Sequence, residues 1–109
     1  MNRSLALLGM AKKAGLLAVG SEAAAVAARR GEATLIITAS DASDGSVRRA
    51  KANAESNDVK YIAVPFTMFE LGNIAGRGSP GTIAFLDKGL ADGFMEKLEQ
   101  TEKTKESDA

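Results

Sequence analysis

A chain of 109 residues, 45% apolar and 26% charged, suits one globular domain that buries its own core without disulfides or a structural metal. It contains no cysteine and no histidine, which excludes thiol nucleophiles, Ser–His catalysis and the usual zinc sites. Formal net charge is zero but unevenly spread: residues 1–51 hold eight Lys/Arg and four Asp/Glu, and residues 52–109 hold six and ten.

No apolar run approaches the roughly 20 residues of a membrane helix, and the N-terminus lacks the pattern of a signal peptide. These features predict a cytoplasmic domain over residues 1–98, followed by a polar, disordered tail over 99–109. No two acids stand in a recognisable catalytic spacing, so nothing supports an enzyme, a cofactor or a metal.

Asn2 or Ser4 is the expected cap of a first helix carrying Leu5, Leu7, Leu8, Met10, Ala11 and Ala14, and Gly15 is its natural stop. Residues 16–19 read as a short strand. Gly20 then makes a turn, Ser21 is an N-cap candidate, and an alanine-rich helix is predicted over 22–30. Glu22 at its start and Arg29 and Arg30 at its end suit the helix dipole, and Gly31 can close it in the left-handed conformation. A helix start beside a glycine also suits an anion such as phosphate. The alternative reading is a well-capped structural helix.

Residues 34–39 form a continuously apolar, β-branched run expected of a strand covered on both faces. A polar loop follows over 40–45, where Asp41 and Ser43 are candidate caps of the next helix. That helix is predicted over 46–56, with Arg48, Arg49 and Lys51 on a solvated side, and Asn57-Asp58 breaks it. Residues 59–64 read as a third strand, halted by Pro65. Thr67 and Glu70 have capping-box spacing before a short helix containing Leu71, Ile74 and Ala75. Met68, Phe69 and Phe94 read as core. The stretch 76–81, Gly-Arg-Gly-Ser-Pro-Gly, must be a loop. A fourth strand is expected over 82–86 and a last helix over 88–98. This alternation predicts a three-layer α/β/α sandwich around a four-stranded mixed sheet, mostly parallel.

The order of motifs resembles the kink-turn-binding ribosomal-protein family, the large-subunit seven-Ae and thirty-e type, and within it the small bacterial members of the YlxQ type. The likeness is carried by Leu7-Leu8-Gly9-Met10-Ala11-Lys12-Lys13-Ala14-Gly15, by Val19-Gly20-Ser21-Glu22, and by Leu35-Ile36-Ile37-Thr38-Ala39-Ser40-Asp41-Ala42-Ser43. Val64-Pro65 and Glu70-Leu71-Gly72-Asn73-Ile74-Ala75-Gly76 continue it, and together it covers residues 4–95.

The resemblance implies RNA binding at one end of the sheet, by residues 20–23 with Val26, by 40–43 and by 76–80. The RNA-binding candidates are Lys12, Lys13, Gly20, Ser21, Glu22, Ser40, Asp41, Gly76, Arg77 and Gly78. Lys12 and Lys13 read equally well as the solvated end of an amphipathic helix, and Arg77 equally well as a residue with no ligand contact. The implied partners are structured or ribosomal RNA and ribosomal or translation-factor proteins, with no membrane. Kink-turn binders carry G-x-N-E-x-x-K at this helix, whereas this chain has Glu22, Ala23 and Val26 in those places. A good bidentate base contact is worth roughly 1–3 kcal/mol, so kink-turn specificity is expected to be weakened or absent. Two other functions stay open: a protein-interaction module that kept the fold, and a small-molecule or nucleotide-binding domain using the Gly20 turn.

Overall fold

The computed structural model describes the backbone of residues 3–76 and 78–108, and the side chains of residues 3–76 and 78–99. Helices and strands alternate along the chain: α1 (Arg3–Lys13), β1 (Leu17–Val19), α2 (Ser21–Arg29), β2 (Leu35–Thr38), α3 (Asp44–Ser56), β3 (Lys60–Ala63), α4 (Met68–Ala75), β4 (Thr82–Phe85) and α5 (Lys88–Asp108). Every residue of β2 and of β4 is buried, so these strands need cover on both faces, and the helices divide to supply it.

Successive side chains of a strand point to opposite faces. Leu35, Ile37, Ile83 and Phe85 therefore meet Leu8, Leu71 and Phe94 from α1, α4 and α5. Ile36 and Ala84 meet Ala24, Ala27 and Ala28 of α2 and Ala50 and Ala54 of α3. The first face is packed with large side chains, including the Phe85 and Phe94 rings, whose centroids are 5.0 Å apart. The second is an alanine surface on which the two helices lie close to the sheet. The result is the expected three-layer sandwich.

The sheet runs in the order β1-β4-β2-β3. Only β2 and β3 pair in parallel; β4 runs antiparallel to both β1 and β2. The sheet is mixed, and the expectation that it is mostly parallel is corrected. Alternation of helix and strand fixes the layers but not strand direction, and the chain returns from α4 to thread β4 backwards between β1 and β2.

Local chemistry explains most of the element ends. Thr67 and Glu70 form the expected capping box: the Glu70 N–H donates to Thr67 Oγ1 at 3.1 Å, and the Thr67 N–H donates to Glu70 Oε1 at 2.9 Å. Thr67→Ala is expected to cost about 1 kcal/mol in urea unfolding, and Thr67→Ser much less. Gly31 and Gly76 both take positive φ, at 74° and 72°, where the chain leaves α2 and α4. Ser43 caps α3, accepting from the Ser46 N–H at 3.1 Å, so that helix begins two residues earlier than expected.

Two other helix ends stand apart from the sequence reading. Ser4 is fully buried inside α1 and is not its cap, and Asn2 lies outside the described residues. The last helix continues beyond Leu98 to Asp108, through the stretch expected to leave the domain as a tail. Its 99–108 segment is rich in Glu, Gln and Lys, good helix formers, with no Gly or Pro to stop it.

Candidate functional site

At the end of the sheet where β1 and β2 finish and β4 begins, three separate segments are tied together by backbone bonds. The Gly20 N–H donates to the Thr82 carbonyl at 2.8 Å, and the Ala39 N–H to the Gly81 carbonyl at 2.9 Å. The Ser40 N–H donates to the Phe66 carbonyl at 2.8 Å, and the Met68 N–H to Asp41 Oδ1 at 2.8 Å. The Gly20 corner, the 40–43 loop and the 76–81 loop thus share one edge of the molecule. A Cβ added at Gly81 would lie 3.4 Å from the Ala42 Cβ and 3.6 Å from the Met68 sulfur, so the second and third segments are in close packing.

The Gly20 corner differs in detail from its sequence reading. Gly20 itself holds the N-cap position of α2 with φ 106°, a conformation that side-chain-bearing residues rarely adopt. Ser21 is the first helical residue, not the cap, and its hydroxyl donates to Thr82 Oγ1 at 3.3 Å. No side chain caps α2, so its first-turn N–H groups lack a side-chain acceptor and suit an external one. Thr82 is buried and stands opposite Thr38 in the sheet, and the Thr38 hydroxyl lies 2.6 Å from the Tyr61 hydroxyl. A row of hydroxyls therefore stiffens the sheet directly behind the corner.

Lys12 belongs to this edge. Its Cε would be 3.5 Å from a Cβ added at Gly76, and it lines a shallow cleft of about 220 Å³ with Val19 and Ala23. It thus stands between the end of α4 and the first turn of α2. Lys13 is exposed in the same last turn of α1. Glu22 is turned aside: its carboxylate accepts from Arg49 Nη2 of α3 at 3.0 Å, in an exposed ion pair. Ser40, Gly76 and Gly78 are exposed, and Gly76 and Gly78 have φ of 72° and 31°. Asp41 is exposed too, but it binds the start of α4 and does not cap α3. Arg77 lies outside the described residues.

Phe69 departs from its sequence reading. Far from being core, it is 69% exposed, the most exposed large apolar residue described. The signal is present in the helical period: Leu71, Gly72 and Ala75 of α4 turn inward, which leaves Phe69 and Asn73, four residues apart, on the outer face. Met68 and Phe94 are packed in or against the core as expected.

The opposite end of the sheet carries a separate cleft of about 350 Å³ between β3 and α5, lined by Asp58, Lys60, Lys88 and Asp92 among others. Among the described residues no helix is long and apolar enough to cross a membrane, and no group of three or more His, Cys, Asp or Glu is placed to hold a metal ion.

The model of the ribosomal protein L7Ae/L30e/S12e/Gadd45 family matches residues 3–92. The chain belongs to this family. Among solved structures it is similar to a Bacillus halodurans protein of unknown function, with a TM-score of 0.83 and 25% identity over 91% of this chain and 99% of that one. It also shares its fold with a Giardia lamblia 15.5kD RNA binding protein, with a TM-score of 0.70 and 19% identity over 91% of this chain and 84% of that one. No curated protein sequence matches it. In this L7Ae-family chain, Glu22 and Ala23 are exposed at the helix start and Val26 is half-buried, so two of the three substituted motif positions still face outward.

Proposed function

We propose that this L7Ae-family chain is a non-catalytic RNA-binding protein that holds a ribose-phosphate strand at the Gly20 edge. The reading makes it an accessory of the ribosome or of the transcription or translation machinery, acting in the cytoplasm. The observation that carries it is the convergence of the uncapped start of α2, the Lys12 side chain and the two loops on one edge. Backbone N–H groups and a lysine grip phosphate without reading sequence, and the open space around Gly78 leaves room for an unstacked base. Kink-turn discrimination is weak in this reading, because Ala23 offers no acceptor to a guanine edge, Val26 no charge to a phosphate, and Glu22 is engaged with Arg49.

Filter binding of structured RNA at about 50 and 200 mM salt tests this, since neutralised phosphates make log affinity fall linearly with log salt. The expected result is salt-dependent binding, with little preference for a kink-turn over a simple bulged hairpin. A chain that binds no RNA at the lower salt contradicts the proposal. Ala23 and Val26 favour a second reading, a protein-interaction module whose helix start has lost its polar contacts, and that null result would leave it standing.

A further inference from the structure

We infer that Phe69 is a stacking platform for an unpaired base of the bound RNA, an inference that rests on the RNA-binding reading above. Of the four phenylalanines, Phe66, Phe85 and Phe94 are buried, and Phe69 alone stands in solvent. Its placement is specific. The preceding residue, Met68, gives its N–H to Asp41 of the 40–43 loop and rests its sulfur where it would be 3.6 Å from a Cβ on Gly81 of the 76–81 loop. The backbone of Phe69 therefore stands one residue from the point where two of the three edge segments meet.

The backbone beneath it is held firmly. Thr67 and Glu70 lock the first turn of α4 through their capping box, and Asp41 adds a further bond from across the site. An aromatic ring on a fixed turn loses little freedom when a base stacks on it, and every base offers a π-face. The two carboxylates nearby are both occupied, Glu70 by the Thr67 N–H and hydroxyl and Asp41 by the Met68 N–H, and a neutral base meets less repulsion from them than a phosphate would. Lys12 and the start of α2 hold the strand by charge, and Phe69 adds an interaction that salt does not screen.

The test compares wild type, Phe69→Ala and Phe69→Trp on an RNA hairpin with a bulge of unpaired nucleotides and on the same hairpin with the bulge removed. Phe69→Ala is expected to weaken binding to the bulged hairpin by roughly 5- to 100-fold, the usual cost of losing one base–aromatic stack, with the salt slope unchanged. Binding to the fully paired hairpin should hardly change. Phe69→Trp should retain affinity, and because the chain has no other tryptophan, its fluorescence should be quenched by the bulged RNA alone. Salt-dependent binding by wild type that Phe69→Ala leaves unchanged on the bulged hairpin overturns the stacking role and leaves RNA binding intact. Failure of wild type to bind either hairpin overturns RNA binding and the platform with it. Thermal melting of each variant confirms that these exposed substitutions leave the fold in place.

Discussion

Phe85→Ala is expected to destabilise the domain by about 3–5 kcal/mol, far more than any substitution at the binding edge. Phe85 is fully buried in a central strand, with its ring against Phe94 of α5, so truncation removes the packing that binds β4 to the helical layer. The surrounding strand cannot collapse to fill the space. The Phe85 carbonyl accepts from both the N–H and the hydroxyl of Thr34, at 2.8 and 3.1 Å, which holds the backbone in place. A small domain is stable by only about 5–15 kcal/mol, so this is a large share of the total. In urea unfolding the midpoint should fall sharply with an unchanged slope, and Phe85→Leu should cost well under half as much. A loss below about 1 kcal/mol for the alanine variant would mean that the packing of α5 on the sheet does not depend on this ring pair.

Replacing Lys12 and Lys13 together with glutamine is expected to have the largest effect on the salt dependence of RNA binding. Removing one phosphate-neutralising charge lowers the salt slope by about 1, so the double variant should show a slope shallower by about 2. At moderate salt the affinity should fall on the order of tenfold. Both lysines are exposed at the last turn of α1, so the fold survives their removal apart from a few tenths of a kcal/mol of helix-dipole stabilisation. Lys12→Gln alone should account for about half of the slope change, because its side chain reaches the Gly76 turn and the Ala23 cleft. An unchanged slope would remove the end of α1 from the binding edge.

What can be read in the sequence is what neighbouring residues decide. The Thr67–Glu70 capping box, the closure of α2 at Gly31 and of α4 at Gly76, and the doubly covered β2 all follow from interactions within a few residues or from burial on both faces. The role of Ser21 cannot be read there, because its hydroxyl finds Thr82, 61 residues away, in preference to its own helix start. Asp41 escapes local reading for the same reason: its partner is the Met68 N–H, 27 residues on. The direction of β4 depends on where the chain re-enters the sheet, and no local pattern records that.

The candidate edge is legible only through resemblance, since periodicity cannot show that residues 20, 40 and 81 are neighbours. The bonds from Gly20 to Thr82 and from Ala39 to Gly81 supply that adjacency. Phe69 is the opposite case. The helical period already turns it outward, but its apolar character argues for the core, and only its exposure decides the matter.

The most direct test is amide mapping by NMR, titrating the nitrogen-labelled chain with a bulged RNA hairpin. The expected shifts fall on residues 20–23, 40–43, 76–79 and Gly81 together, while Asp58, Lys60 and Lys88 at the far end of the sheet stay unmoved. Shifts confined to that far end, or scattered over both ends alike, would contradict the proposal that the Gly20 edge holds the RNA.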